Sequence, residues 1–146
     1  MKKKILVSLL VLVIMVSIVG IYAYREFNRK VDSVSSLKAD FDLQAASLID
    51  EFAKDSKTSS GKYISKTIAI TGIVANVEEQ QNSITLIFKT DGNNAIRCSM
   101  DSTYTLDKVK DLNTKSVTVK GICTGYNADD LGLGSDIIIN RCIIKK

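Results

Sequence analysis

The first apolar segment of the chain is a run of 20 uncharged residues at positions 5–24. Three lysines lie within the basic segment at residues 1–4, and Arg25 follows the run. At a rise of about 1.5 Å per residue, a helix of this length spans about 30 Å, the thickness of the hydrocarbon core of a bilayer. The pattern therefore predicts a transmembrane signal anchor at residues 5–24.

A cleaved signal peptide is the alternative interpretation of this run. The apolar region of a signal peptide is usually about 7–15 residues long and ends in small residues. Here the run is longer, and the segment Ile21-Tyr22-Ala23-Tyr24-Arg25 offers no good cleavage site. The lysines and the free N-terminus slightly outweigh the three basic residues on the far side, at positions 25, 29 and 30. We therefore expect a single-pass protein of the cell membrane with its C-terminal domain outside the cytoplasm.

Apolar residues recur at spacings of three and four between residues 25 and 57. They are Val34, Leu37, Phe41, Ala45, Leu48 and Phe52. This period predicts a juxtamembrane amphipathic helix that packs on the following domain, and a short coiled coil for a partner is the alternative. Ser, Thr and Gly residues predict a polar linker at 56–61, close to the start of the domain that we place at residues 58–146.

The remainder alternates short apolar strands with turn signals. The predicted strands are Thr67–Val77 with an interruption at Gly72, Ile84–Phe88, Ile96–Met100, Val117–Cys123 and Asp136–Ile144, with a short helix at Thr103–Leu112. Three strands, a helical connection and two more strands form the order of an OB-fold, a five-stranded Greek-key barrel. Gly72 suits the sharp bend that a long first strand needs in a small barrel. The predicted fold class is mainly β with helices: an OB-fold barrel preceded by an amphipathic helix and an N-terminal transmembrane helix.

Several motifs after residue 40 share a family pattern. They are Tyr63-x-x-Lys66-x-Ile68-x-Ile70-x-Gly72-x-Val74, Ile96-Arg97-Cys98, Val117-x-Val119-x-Gly121-x-Cys123-x-Gly125-Tyr126 and Asn140-x-Cys142-x-Ile144. In these motifs the chain resembles the tRNA_anti-like family of bacterial OB-fold proteins. The resemblance implies an OB-fold related to anticodon-binding domains, and it concerns the fold rather than a particular ligand. We expect Tyr63 and Lys66 to seat the preceding helix against the barrel.

The charge of the chain is concentrated at its N-terminus. The formal net charge is +4, from 20 basic and 16 acidic residues, and residues 2–4 hold three of the basic ones. The rest of the chain is therefore close to neutral, which gives no general attraction to nucleic acid or anionic lipid. The sequence contains no histidine, so the commonest general base and the commonest metal ligand are both absent.

Three cysteines, Cys98, Cys123 and Cys142, fall within predicted strands. A metal site is disfavoured because no histidine and no C-x-x-C motif accompanies them. In an OB-fold the fifth strand lies between the third and the fourth, so Cys142 can neighbour either of the others. We predict a Cys123–Cys142 disulfide outside the cytoplasm, with Cys98 as a buried free thiol. The alternative is that all three are small buried side chains that stay reduced.

The predicted binding surface is the outward face of the second and third strands. Its outward positions are Thr85, Ile87, Lys89, Arg97 and Ser99, and the loops at 78–82 and 126–135 flank it. We choose Thr85, Lys89, Arg97 and Tyr126 as candidate ligand-binding residues. Proteins that bind single strands combine exposed aromatic side chains with a positive groove. This face has two cations and no aromatic residue, and the acidic residues at 129, 130 and 136 would repel phosphate.

These patterns predict a membrane-anchored OB-fold module that binds without catalysis and needs no cofactor or metal. The expected partner is another envelope protein or a small ligand, apart from the membrane itself. A single-stranded nucleic acid is the alternative partner. An enzyme is less favoured because the cysteines lie within strands rather than at helix N-termini or in loops.

Overall fold

The computed structural model describes residues 2–27, 33–80, 83–89, 93–128 and 134–145, with the side chains of the first helix described from Val13 onward. The chain divides into two units, Met1–Asp32 and Ser33–Lys146. The first unit contains the helix α1, Lys2–Phe27. Its side chains from Val13 to Phe27 are exposed. Within the described residues, no helix is long and apolar enough to cross a membrane.

The described residues of the second unit form six strands and three α-helices. In chain order they are β1 Phe41–Gln44, α2 Ala45–Lys54, α3 Ser56–Tyr63, β2 Thr67–Gln80, β3 Ser83–Lys89, β4 Ala95–Met100, α4 Leu106–Val109, β5 Ser116–Asn127 and β6 Asp136–Ile144, and a 3-10 turn at Lys110–Leu112 follows α4. The five strands that alternation predicted correspond to β2–β6, and the predicted helical connection is present as α4 and the turn after it.

The strands β2–β6 form a closed barrel. Their order is β2-β3-β4-β6-β5, and β5 pairs again with β2. All neighbours are antiparallel except β4 and β6, which run parallel. This arrangement confirms the predicted five-stranded barrel, with the last strand between the third and the fourth. The inward side chains pack into one buried core, to which α2 contributes Leu48, Ile49 and Phe52.

The long strand β2 serves two neighbours in succession. Residues 67–73 pair with β5, and the pairing with β3 begins at Val74. Gly72 lies at this change of partner, where an added Cβ would be 2.7 Å from the Cβ of Ala45 and 3.1 Å from Cδ1 of Phe88. The glycine is therefore needed because the start of α2 and the ring of Phe88 approach the strand too closely for any side chain.

The prediction of one amphipathic helix through residues 34–52 was wrong for its first half. Phe41–Gln44 is a strand, β1, that pairs in parallel with Ile68–Thr71 of β2, and the helix begins only at Ala45. Asp40 fixes the start of β1, because its carboxylate accepts a hydrogen bond from the Thr67 amide at 2.9 Å. In a segment of four residues, the apolar positions fit the period of two of a strand as well as the period of 3.6 of a helix. The pairing with β2 makes this segment a strand.

The polar segment at 56–61 is also not a linker but part of the helix α3. Asp55 caps this helix, with its carboxylate oxygens accepting from the Thr58 amide at 3.0 Å and from the Thr58 hydroxyl at 2.6 Å. The hydroxyl of Ser59 donates to the Glu51 carbonyl oxygen at 2.9 Å. These hydrogen bonds compensate for the low helix propensity of the Ser- and Thr-rich sequence.

Tyr63 joins α3 to the rest of the domain. Its ring is fully buried and contacts the rings of Phe41 and Phe52, with centroids 5.0 and 6.0 Å away. Its hydroxyl donates to the Glu51 carboxylate at 2.8 Å. The tyrosine thus seats the helices on the barrel as predicted, whereas Lys66, the other residue expected to do so, is exposed.

Candidate functional site

The outward face of β3 and β4 brings three of the four candidate residues together. Thr85 lies opposite Ser99, and Ile87 lies opposite Arg97. Lys89, at the end of β3, shares this face and is exposed. The face is continued by β6, where Ile138 pairs with Arg97. Three neighbouring strands therefore present one surface, which we call the outward face.

Arg97 is held between two carboxylates on this face. Its Nε donates to Oδ2 of Asp136 at 2.7 Å, and one terminal nitrogen donates to Oε2 of Glu78 at 3.3 Å. The hydrogen bond to Asp136 is the main reason that the pKa of the Arg97 guanidinium is raised above its ordinary value. About two-fifths of the Arg97 side chain remains exposed, at 41%. Its charge is nevertheless compensated within the protein.

Sequence reasoning found Arg97 but missed both of its acidic partners. Glu78 comes from β2 and Asp136 from the first position of β6, and their side chains are 36% and 24% exposed. In the register, Glu78 lies opposite Thr85, and Asp136 pairs with Ala95. Alternation along β2 could have placed Glu78 outward beside Thr85. The parallel pairing that brings Asp136 to Arg97 has no local signal in the sequence.

Ile87 was predicted to point outward, but only 2% of its surface is exposed. It lies between Asn76 of β2 and Arg97 of β4 in the register. The described residues of β3 and β4 that point outward include no aromatic side chain. The accessible polar groups of the face are therefore Arg97 with its two carboxylate partners, the hydroxyls of Thr85 and Ser99, and Lys89.

Tyr126, the fourth candidate, lies on the opposite side of the sheet. Its ring stacks on Phe52 of α2, with centroids 4.9 Å apart and planes inclined by 26°. It packs against the hydrophobic core and is half-buried. The structure thus separates Tyr126 from Thr85, Lys89 and Arg97.

The two predicted flanking loops are only partly described. Residues 81–82 and 129–133 lie outside the described residues, including the acidic positions 129 and 130. Where the second loop ends, the Ser135 amide donates to Oδ1 of Asn94 at 3.0 Å, and the Ala95 amide donates to the Ser135 carbonyl at 3.0 Å. These bonds fix the entry to β6 and hence the position of Asp136.

All three cysteines are buried free thiols. Cys98 and Cys123 pair with Ile139 from either side, whereas Cys142 pairs with Met100 and faces Gly121. Burial raises the pKa of the Cys98 thiol well above its ordinary value, with a smaller contribution from a hydrogen bond to Cys142. Burial also raises the pKa of the Cys123 thiol. The Cys123–Cys142 disulfide stays a prediction.

The described acidic and cysteine side chains form no candidate metal site. Within the described ranges, no group of three or more Cys, Asp or Glu side chains is placed to hold a metal ion. The carboxylates on the outward face are occupied by Arg97. This face therefore offers hydrogen-bonding groups and a compensated charge.

Two solved structures are similar to this chain at low sequence identity. A lipoprotein from Klebsiella pneumoniae subsp. pneumoniae MGH 78578, provisionally described as nucleic acid-binding, aligns over 82% of this chain and 100% of its own, with a TM-score of 0.53 and 11% identity. Asparaginyl-tRNA synthetase from Pyrococcus horikoshii aligns over 58% of this chain, with a TM-score of 0.39 and 19% identity, and this chain covers 21% of it. The first of these likenesses supports the fold alone.

Comparisons of sequence give the family. No curated protein matches this chain. The tRNA_anti-like family model matches residues 1–137, a range that includes the first three motifs and ends just after the start of β6. The chain therefore belongs to the tRNA_anti-like family.

Proposed function

We propose that this protein is a non-catalytic OB-fold binding module that is anchored in the cell membrane and recognises another envelope protein through the outward face of its barrel. The family and the barrel are established above, whereas the membrane location, the protein partner and the lack of catalysis are the proposal. The face that it assigns contains Thr85, Lys89, Arg97 and the side chains around them.

The compensated charge of Arg97 carries the proposal. A groove for single-stranded nucleic acid needs free positive charge along the phosphates and aromatic platforms for the bases. Here the guanidinium already donates to the carboxylates of Asp136 and Glu78, and those carboxylates would repel phosphate. Protein interfaces, in contrast, favour arginine in a mixed polar setting with few uncompensated charges.

The proposal that the module is not an enzyme rests on its reactive groups. The sequence has no histidine, and the thiols of Cys98 and Cys123 are buried with a raised pKa. A nucleophilic cysteine needs the opposite environment, one that is accessible and lowers the pKa of the thiol.

The membrane anchor rests on the sequence. The uncharged run at 5–24 has the length of a membrane span, and basic residues precede it. The described part of α1 from Val13 to Phe27 exposes large apolar side chains, among them Val16 and Ile18 at 65% and 60%. Apolar surface of this kind is unfavourable in water and favourable in lipid.

Single-stranded nucleic acid is the second candidate partner. It is favoured by the family, whose fold is related to anticodon-binding domains, and by the description of the Klebsiella lipoprotein that shares the fold. Lys89 is the exposed cation that could contribute to such binding on the outward face. The carboxylates around Arg97 argue against it.

Site-specific photo-cross-linking in intact cells tests the protein partner. The cross-linker p-benzoylphenylalanine is placed at Thr85, on the outward face, and at Lys57, an exposed residue of α3, as the matched control. We expect a discrete protein adduct from Thr85 that is absent from Lys57 and that disappears in Arg97→Glu. An adduct with nucleic acid, or equal protein adducts from both positions, would contradict the proposal.

A further inference from the structure

A groove lies where the segment after β4 meets the end of β6, and it is lined by other residues than the outward face. This groove has a volume of about 590 Å³, and Asp101, Thr103, Tyr104, Lys108, Ile143 and Ile144 contribute to its lining. Sites for small molecules commonly enclose about 300–1,000 Å³ and combine apolar walls with a few converging polar groups. The volume of the groove lies in this range, and its lining includes both apolar and polar groups.

Thr103 forms backbone hydrogen bonds with two oppositely charged side chains that line the groove. Oδ1 of Asp101 accepts a hydrogen bond from the Thr103 amide at 3.1 Å, and Nζ of Lys108 donates to the Thr103 carbonyl oxygen at 3.1 Å. Because both bonds end on one residue, the two charged groups lie no more than about 10 Å apart. In the described part of the chain neither of them forms an ion pair within 4.0 Å.

This upper limit leaves room for a small zwitterion between the two charges. An α-amino acid carries its ammonium and carboxylate groups on the same carbon, and a hydrogen bond of about 2.8 Å at each end gives a span within that limit. Its carboxylate would meet Lys108 and its ammonium would meet Asp101. A phosphate dianion suits the groove less well, since Asp101 would repel it.

Tyr104 adds a donor and part of an apolar wall. Its hydroxyl oxygen accepts a hydrogen bond from the Ile144 amide at 3.0 Å, which fixes the oxygen at the groove and leaves the O–H proton directed elsewhere. Ile143 and Ile144 are half-buried and line the same groove. An aliphatic side chain on the ligand would be covered by these groups.

We propose that this groove binds a free α-amino acid with an aliphatic side chain, held by Lys108 at its carboxylate and by Asp101 at its ammonium group. The proposal concerns a site separate from the outward face, and it does not depend on the function proposed for that face.

Calorimetric titration of the full chain in detergent with L-leucine tests the site. N-acetyl-leucine, which lacks the ammonium group, and leucinamide, which lacks the carboxylate, are the matched ligands. We expect saturable binding of leucine at one site and binding about tenfold weaker or more for each analogue, because each loses one charge-assisted hydrogen bond. No binding of leucine, or analogues that bind as well as leucine, would overturn the proposal.

Two variants locate the binding. Lys108→Met and Asp101→Asn each remove one charge, and Asn retains an oxygen for the Thr103 amide, so both variants should fold. The control is Lys110→Met, because the Lys110 ammonium pairs with Asp107 at 3.0 Å and is not among the groups argued to hold the ligand. We expect leucine to bind about tenfold more weakly or worse to the first two variants and unchanged to the third. Equal affinity in all three would overturn the assignment of the site.

Discussion

Arg97 determines the electrostatic character of the outward face because two carboxylates of the protein compensate its positive charge. Its guanidinium connects β4 to Glu78 of β2 and to Asp136 of β6. Exposed ion pairs of this kind contribute little to stability, typically about 0–1 kcal/mol each. Their consequence lies in recognition, since they fix the orientation of a large planar donor and remove the free charge that phosphate would need.

Gly72 is a position at which a single added methyl group should be costly. In Gly72→Ala the new Cβ would lie 2.7 Å from the Cβ of Ala45 and close to the Phe88 ring. Overpacking of a core costs typically about 1–3 kcal/mol, and we expect a loss of this size in the free energy of unfolding from urea titration. Gly61→Ala is the control. Nothing lies within 4 Å of its Cβ position in α3, so it should be neutral or stabilising. Equal effects of the two substitutions would contradict this view of β2.

The three cysteines should be unreactive while the domain is folded. All are buried, and burial raises the pKa of the Cys98 and Cys123 thiols, so the thiolate that reacts with iodoacetamide is rare. We expect no alkylation of the native protein at mildly alkaline pH. After unfolding in guanidinium chloride, mass spectrometry should find one modified cysteine if the Cys123–Cys142 disulfide is present. Three modified cysteines would contradict the disulfide, and rapid alkylation of the native state would contradict the burial.

At the scale of elements, the corner between α2 and α3 attaches the helices to the barrel. Asp55 caps α3, and Glu51 of α2 accepts hydrogen bonds from Lys62 at 2.9 Å and from the Tyr63 hydroxyl at 2.8 Å. In the same corner, the rings of Phe52 and Tyr63 contact each other and pack into the hydrophobic core. The corner therefore combines buried rings with carboxylates that must be ionised to accept all of these bonds.

This corner should weaken in acid. The hydrogen bonds from Thr58 lower the pKa of Asp55, and the hydrogen bond from Lys62, followed by that from Tyr63, lowers the pKa of Glu51. A carboxyl group with a lowered pKa in the folded state stabilises the protein above its unfolded pKa, and this contribution is lost as the pH falls through the folded value. We expect the melting temperature to decrease as the pH falls below about 4, the ordinary range of these carboxyl groups.

Substitutions at Asp55 separate capping from charge. Asn retains an oxygen for the Thr58 amide but does not titrate, whereas Ala removes the cap. At neutral pH, Asp55→Ala should lower the denaturant midpoint more than Asp55→Asn does. In acid, the loss of stability should be smaller in Asp55→Asn than in the parent protein. An acid transition that is the same in all three proteins would show that Asp55 makes no contribution to it.

For the whole molecule, the sequence was sufficient to predict those strands at which hydrophobic periodicity and turn residues agree. The alternation of Ile84, Leu86 and Phe88 predicts β3, and Gly72 marks the point where β2 changes partner. The strand β1 was not predictable, because Phe41 fits a helical stripe as well as a strand and only its pairing with Ile68 distinguishes them. Local pattern thus predicts the barrel, while an added edge strand depends on distant pairing.

The candidate site was predictable to a smaller extent for the same reason. Alternation identifies Thr85, Lys89 and Arg97 as outward residues. It does not show that the carboxylate of Asp136, 39 residues further along the chain, accepts a hydrogen bond from Arg97 on the same face. It also does not place Tyr126, whose inward position depends on Phe52 of α2. The electrostatic character of the face therefore emerges only from the assembled sheet.

The salt dependence of oligonucleotide binding tests the central claim most directly. The full chain in detergent and the variant Glu78→Gln/Asp136→Asn, which frees Arg97 from both carboxylates, are titrated with single-stranded DNA and RNA over a range of salt concentrations. We expect no salt-sensitive binding by the parent protein and a measurable increase in the variant, because the freed guanidinium can contact phosphate. Tight binding by the parent protein that falls steeply with salt would contradict the account and favour a nucleic acid as the partner.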